Sequence, residues 1–176
     1  RRMPRLRVGL HVVLVEGLPV LSPERVPGLV DAKGFFRTDM ARLGLDIALR
    51  RDVRRQLRAE VEAQFEAYRA TGLALDHVNA HKHFHLHPTI AGTILKIGKP
   101  YDMRAARAPI EPRRLLAQVD GTDTGPRIET VWARLVRARL RHAGMLVPDQ
   151  VFGLAWSGAM TGDRVRGILE RLPDGL

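Results

Sequence analysis

The chain contains no cysteine, only four lysines among its 29 basic residues, and aromatic residues at just 5% of 176 positions. The missing thiols exclude disulfides and thiolate metal ligation, so a metal site here has to be built from histidine and carboxylates. No apolar run approaches the roughly 20 residues that span a bilayer. No secretory leader pattern stands at the start, which reads Arg1-Arg2-Met3 and has no initiator methionine in first place. That opening sets the expectation that the natural N-terminus lies upstream.

What is present is ordinary globular composition, 45% hydrophobic and 27% charged, long enough for a single domain over residues 1–176 with a sizeable core. The formal charge is +10. Its arginines are spread along the chain and fall largely on the solvent sides of helical segments, so the charge reads as compositional and no nucleic-acid partner is expected. A basic surface is still compatible with peripheral contact to anionic lipid, and the expected location is the cytoplasm or its inner membrane surface.

Five of the seven histidines fall in one tract, at His77, His81, His83, His85 and His87, all odd positions. On an extended backbone alternate side chains share a face, roughly 6.5–7 Å apart. An extended tract would therefore gather imidazoles on one side, and neutral imidazole is the commonest metal ligand. A lone histidine at a strand end would be read as a polar loop residue, and a disordered His-rich tract would trap metal adventitiously. Five in eleven residues between ordered apolar segments point to a site.

The remaining chain alternates strands and helices. Strands are expected at 6–15, carrying His11, at 73–80, at 102–107 and at 150–154. A small hairpin with its turn at Lys33-Gly34 falls inside a loop-rich stretch, 18–38. Helices are expected from Thr38 or Asp39 to Leu49, from Asp52 to Ala70, over 88–98 with Pro88 in the first turn, from Arg127 to His142, and from Thr161 to near Leu172. Val53, Leu57, Val61, Phe65 and Tyr68 form one apolar stripe, and Ile128, Val131, Trp132 and Leu135 another. Residues 119–126 read as a polar turn. This order implies an α/β fold with a mainly parallel sheet, too few strands to close an eight-stranded barrel, and both ends of the domain cut. Ligands of such folds sit at the C-terminal ends of strands, which is where the histidine tract lies.

Gly9-Leu10-His11-Val12-Val13-Leu14 with Glu16-Gly17, and the tract from His77 to Pro88, resemble the YdjC-like carbohydrate deacetylases, and the second motif resembles their hopanoid-biosynthesis-associated branch in particular. The resemblance extends to Gly34-Phe35-Phe36-Arg37 and the helix from Gln56 to Phe65. It implies an incomplete, distorted (β/α) barrel that removes acetyl from an N-acetylglucosaminyl sugar or glycolipid. It also implies one divalent ion, magnesium or zinc with manganese and cobalt open, held by His11, His81 and an Asp. That Asp belongs to an Asn-Ala-Asp-Asp-Phe-Gly motif which this sequence lacks, so no catalytic residue is assigned and the 176 residues alone are expected to be inactive. Asn79 stands where many members carry Asp. His83, His85 and Arg107 are candidate substrate-binding or supporting residues, and a homodimer is compatible with the pattern. Other readings remain open: a barrel hydrolase of the amidohydrolase kind, which would need further ligands on later strands, and a non-catalytic sugar-binding relative.

Overall fold

A computed structural model describes residues 3, 5–121 and 128–172, without side-chain detail for 128–130. Its sheet is small. Strands β1 (Leu10–Val12) and β2 (Val78–Ala80) run parallel, with Leu10 opposite Val78, His11 opposite Asn79 and Val12 opposite Ala80. Parallel bridges from Val78 to Ala106 and from Ala105 to Leu146 continue the ribbon. The α/β class and the parallel direction agree with expectation; the strand lengths do not.

The segments expected as strands over 6–15 and 73–80 contribute three ladder residues each, although Val8 and His77 carbonyls already accept from Asp76 and Leu10 N–H groups at 3.0 and 2.9 Å. Gly9 permits this close crossing, since a Cβ there would lie 2.5 Å from the His77 carbonyl oxygen. The strand expected over 102–107 is reduced to bridges at Ala105 and Ala106, because Asp102 at φ 59 turns the chain at its start. That expected over 150–154 does not form. Val151 N–H keeps a backbone partner, the Ile110 carbonyl at 2.7 Å, but Gly153 and Leu154 donate to Glu111 Oε1 at 2.8 and 2.7 Å and Ala155 to Oε2 at 3.0 Å. A carboxylate takes the place of a continued ladder.

The helices follow the sequence pattern more closely. The helix α1 (Met40–Leu49) is capped by Asp39, which accepts from Arg42 N–H at 3.0 Å. The long α2 (Arg51–Ala70) begins one residue before Asp52 and stops ahead of Gly72, whose φ of 68 suits a residue without Cβ. The helix α3 (Pro88–Gly98) starts on proline as expected. A short α4 (Arg113–Asp120), not expected from the sequence, follows Pro112 and ends at Gly121 with φ 75; proline breaks a helix interior and is tolerated at its entry. The last two are α5 (Ile128–His142) and α6 (Gly162–Leu169). The hairpin forms as expected, with Asp31 Oδ1 accepting from Lys33 and Phe35 N–H groups and Gly34 at φ 81. The polar turn expected at 119–126 lies partly outside the described residues. Among these, no helix is long and apolar enough to cross a membrane.

On α5 the expected apolar face is reversed. Val131, Trp132 and Leu135 are 58%, 45% and 57% exposed, while Ala133, Val136 and Leu140 are buried, the last two against Ala91, Ala106 and Ala108. The small alanines allow close approach there, and Arg139 reinforces it by donating to the Pro88 carbonyl at 2.8 Å.

The main core forms where α2 packs on the ribbon. Val53, Leu57, Val61 and Phe65 are at most 1% exposed, each side chain contributing about 1.5–3 kcal/mol by burial. Two polar residues share that face. Gln64 donates to the Val13 carbonyl at 2.6 Å and accepts from Val13 N–H at 3.0 Å, imitating a neighbouring strand. Glu60, fully buried, accepts from Val20 and Leu21 N–H groups and from Gln64 at 2.9, 3.0 and 2.8 Å. Replacing Glu60 with alanine leaves one buried and two part-buried donors without their acceptor, so Glu60→Ala is expected to cost about 3 kcal/mol. Urea unfolding measures this; an unchanged midpoint would show that water satisfies those donors equally well.

Candidate metal centre

His11 stands in β1 directly opposite Asn79 in β2, and His81 follows two residues after Asn79. In-register and alternate positions share a face, so all three side chains meet at the C-terminal end of the ribbon. His11 Nδ1 is hydrogen-bonded to the Asn79 side-chain oxygen. Since that oxygen only accepts, Nδ1 carries the proton and Nε2 is left with a lone pair. His11 Nε2 lies 3.5 Å from His81 Nδ1, and the rings meet edge to face with centroids 5.6 Å apart. His81 presents its other nitrogen, Nε2, to Glu16 Oε2 at 3.8 Å.

The extended histidine face expected from the odd spacing is not what forms. After Ala80 the chain enters a 3-10 turn, His81–Leu86, in which Lys82 and His83 are left-handed at φ 47 and 55. Glu16, at the matching end of β1, is left-handed too, at φ 50. Such conformations cost non-glycine residues about 1–2 kcal/mol each. The turn disperses the tract. His77 Nδ1 goes to Asp76 Oδ2 at 3.0 Å, and His87 Nδ1 accepts from Thr89 N–H at 3.3 Å at the start of α3. His85 is 5% exposed and its Nε2 donates to the Arg107 carbonyl at 2.7 Å, tying the turn to the neighbouring bridge segment.

His83 remains half-buried beside the pair, with ring centroids 6.3 Å from His85. Its Nδ1 and the Arg107 Nε are buried and meet no hydrogen-bond partner among the described residues. Burial first, then the Arg107 charge, holds the His83 imidazole below its usual pKa. Burial also lowers the Arg107 guanidinium. Glu16 is held below the usual carboxylate range chiefly by its hydrogen bond from Lys82. Glu16 and Lys82 were not singled out from sequence as site residues; the Glu-Gly that ends the first strand motif was the available signal.

As a donor set, two facing imidazole nitrogens fit a borderline-soft divalent ion. Ligands bound at about 2.0–2.1 Å in tetrahedral array lie roughly 3.3–3.5 Å apart, and the pair is separated by 3.5 Å. The distal nitrogens face an amide oxygen and a carboxylate, the arrangement that orients ligating histidines. Among the described residues no group of three His, Asp or Glu side chains is placed to hold an ion. Two surface grooves of about 660 and 640 Å³ are lined by other residues, so the centre is an open rim.

The family model described as YdjC-like protein matches residues 1–176. The chain belongs to that family. It is 39% identical over 100 residues to a carbohydrate deacetylase of Brevibacillus brevis, covering 56% of this chain and 36% of that protein. Over 100 residues it is 32% identical to a carbohydrate deacetylase of Oceanobacillus iheyensis, covering 57% and 41%. A third, from Thermoanaerobacter pseudethanolicus, is 29% identical over 113 residues, covering 64% and 43%. The matches thus span less than half the length of each relative. A crystal structure from Enterococcus faecalis, of a protein provisionally named for cellobiose-phosphate cleavage, superposes with a TM-score of 0.61 at 20% identity. The overlap is 95% of this chain and 55% of that one, a likeness of fold alone.

His85 supplies a pH prediction. Burial pushes its imidazole down to about 4. Between that value and the unfolded value near 6.5 the unfolded chain binds the extra proton, so stability falls as pH drops through this window and is unaffected above it. His85→Gln keeps a donor for Arg107 but cannot titrate. The loss of unfolding free energy between pH 7 and pH 4.5 is expected to be about 2 kcal/mol smaller in the variant. Parallel pH curves would refute the assignment.

Proposed function

We propose that this chain carries part of the centre of a metal-dependent carbohydrate deacetylase, built on one domain that is a section of a distorted (β/α) barrel. The observation that carries the reading is the facing pair of His11 Nε2 and His81 Nδ1 at 3.5 Å, at the C-terminal ends of adjacent parallel strands. Family membership and the deacetylase activity for which three relatives are named support it. We propose an N-acetylglucosaminyl substrate, on a hopanoid glycolipid or a chito-oligosaccharide.

His11 and His81 would hold the ion, and two imidazoles favour zinc over magnesium, which prefers oxygen ligands. When bound, the ion would supply Lewis-acid polarisation of the acetamide carbonyl and acidify a water for attack. Asn79 keeps the His11 lone pair aimed at that position. His83 and Arg107 line the same side with buried donors available to a polar group of the sugar or its acetyl oxygen. His85 supports them from behind through the Arg107 carbonyl. We place the third ligand and the general base on a carboxylate that is not among the described residues.

Calorimetric titration with Zn²⁺ is expected to show one site in the chain, lost in His11→Ala and in His81→Ala. Acetate release from N,N′-diacetylchitobiose is expected at background for the 176 residues. From the product of the complete reading frame it is expected at an enzymatic rate that either substitution abolishes. No zinc site would sink the pair as ligands, and full turnover by the 176 residues would sink the placement of the third ligand.

A further inference from the structure

Glu16 Oε1 pairs with the Lys82 ammonium across the loops that leave β1 and β2. Its other oxygen, Oε2, faces His81 Nε2 at 3.8 Å. Among the described residues only four non-glycine positions have positive φ, and Glu16, Lys82 and His83 are three of them. The ion pair is largely exposed, with Glu16 and Lys82 side chains 38% and 45% accessible. Exposed pairs add little to stability, so the pair itself does not account for a strained backbone on both of its sides. Strain of this kind persists where a side chain must be aimed.

His81 offers the reason. A neutral imidazole carries one proton, and in that form of His81 two acceptors compete for it. His11 Nε2, bare because Nδ1 donates to Asn79, draws the proton to His81 Nδ1. That tautomer closes the space between the two rings with an N–H. The Glu16 carboxylate draws the proton to Nε2 and leaves Nδ1 bare. Because Glu16 lies toward the opposite nitrogen from His11, it cannot act as a third ligand beside His11 and His81 Nδ1 without reorienting the ring.

We propose that Glu16, clamped by Lys82, is a positioning residue that holds His81 in the Nε2–H tautomer, so that His11 Nε2 and His81 Nδ1 present two lone pairs to one cation. The 3.8 Å gap exceeds a hydrogen bond, and a small rotation of the accessible Glu16 side chain, or one bridging water, completes the contact. The consequence for the cation rests on the reading given under Proposed function; the tautomer does not.

The experiment is ring ¹⁵N NMR of the metal-free chain at pH 8, followed by Zn²⁺ titration. Wild type is expected to show His81 protonated on Nε2. In Glu16→Ala the Nδ1–H signature is expected to grow and zinc affinity to fall on the order of 10- to 100-fold, with the melting temperature little changed. Glu16→Gln, which keeps an acceptor oxygen, is expected to restore most of both. Should Glu16→Ala fail to fold, Lys82→Met frees the carboxylate without altering residue 16 and is expected to shift both signals the same way by less. A tautomer and an affinity indifferent to these changes would overturn the proposal and leave the zinc reading intact. A Glu16-dependent tautomer in a chain that binds no zinc would uphold the positioning role and overturn the ion.

Discussion

The polar face of α2 governs how the rest of the chain is arranged. Val12, Leu14 and Val15 are at most 2% exposed, yet among the described residues β1 pairs with a strand on one side only. Buried backbone groups must find partners, and here a side chain provides them. The Gln64 amide serves both polar groups of Val13, and Glu60 takes the N–H groups of Val20 and Leu21. The path from His11 to the loop beyond Glu16 is therefore fixed from the helix, and a side chain 51 positions on in sequence helps determine where the first histidine and its neighbouring carboxylate stand.

Once that path is set, the register does the rest. His11 opposite Asn79 makes the amide the natural partner of the imidazole, and a two-residue step brings His81 onto the same face. The left-handed residues at the two strand ends then keep Glu16 and Lys82 within reach of each other and turn the following histidines away. Order in the sheet and strain in the loops are complementary parts of one arrangement: the first aligns the nitrogens that face each other, the second controls what lies behind them.

The helices were legible because a stripe of apolar residues at helical spacing survives any tertiary context, and caps such as Asp39 and stops such as Gly72 act locally. The strand extents were not, because an apolar run states that a segment is buried without stating what pairs with it; Glu111 capturing 153–155 leaves no trace in the local pattern. The α5 face was misread for a related reason. Val131, Trp132 and Leu135 are more hydrophobic than Ala133, yet Ala133 is fully buried and they are not; close contact selects for smallness there. Glu60 and Gln64 were readable in principle, since a polar i, i+4 pair on the apolar side of a helix calls for a buried partner. At the centre, the pairing of His11 with His81 came from the family motifs; an even spacing of histidines implied an extended strand, and only the backbone angles of Lys82 and His83 reveal the turn.

What each histidine can do is decided by which of its nitrogens is already committed. His77 is committed to Asp76, His87 to the first turn of α3 and His85 to the Arg107 carbonyl. Each of these bonds uses a ring nitrogen for structure, and burial keeps His85 neutral down to about pH 4, so that it donates without becoming a charge in the core. His11 and His81 differ in that the groups behind them, Asn79 and Glu16, face the far nitrogens and the near ones converge. A tract of five histidines thus yields a single candidate ligand, and the second candidate comes from another strand. The same logic separates the two glutamates nearest β1. Glu60 has both oxygens engaged by buried donors and can only hold the fold together. Glu16 has one oxygen on Lys82 and one turned to an imidazole at an open rim, which leaves it able to influence chemistry.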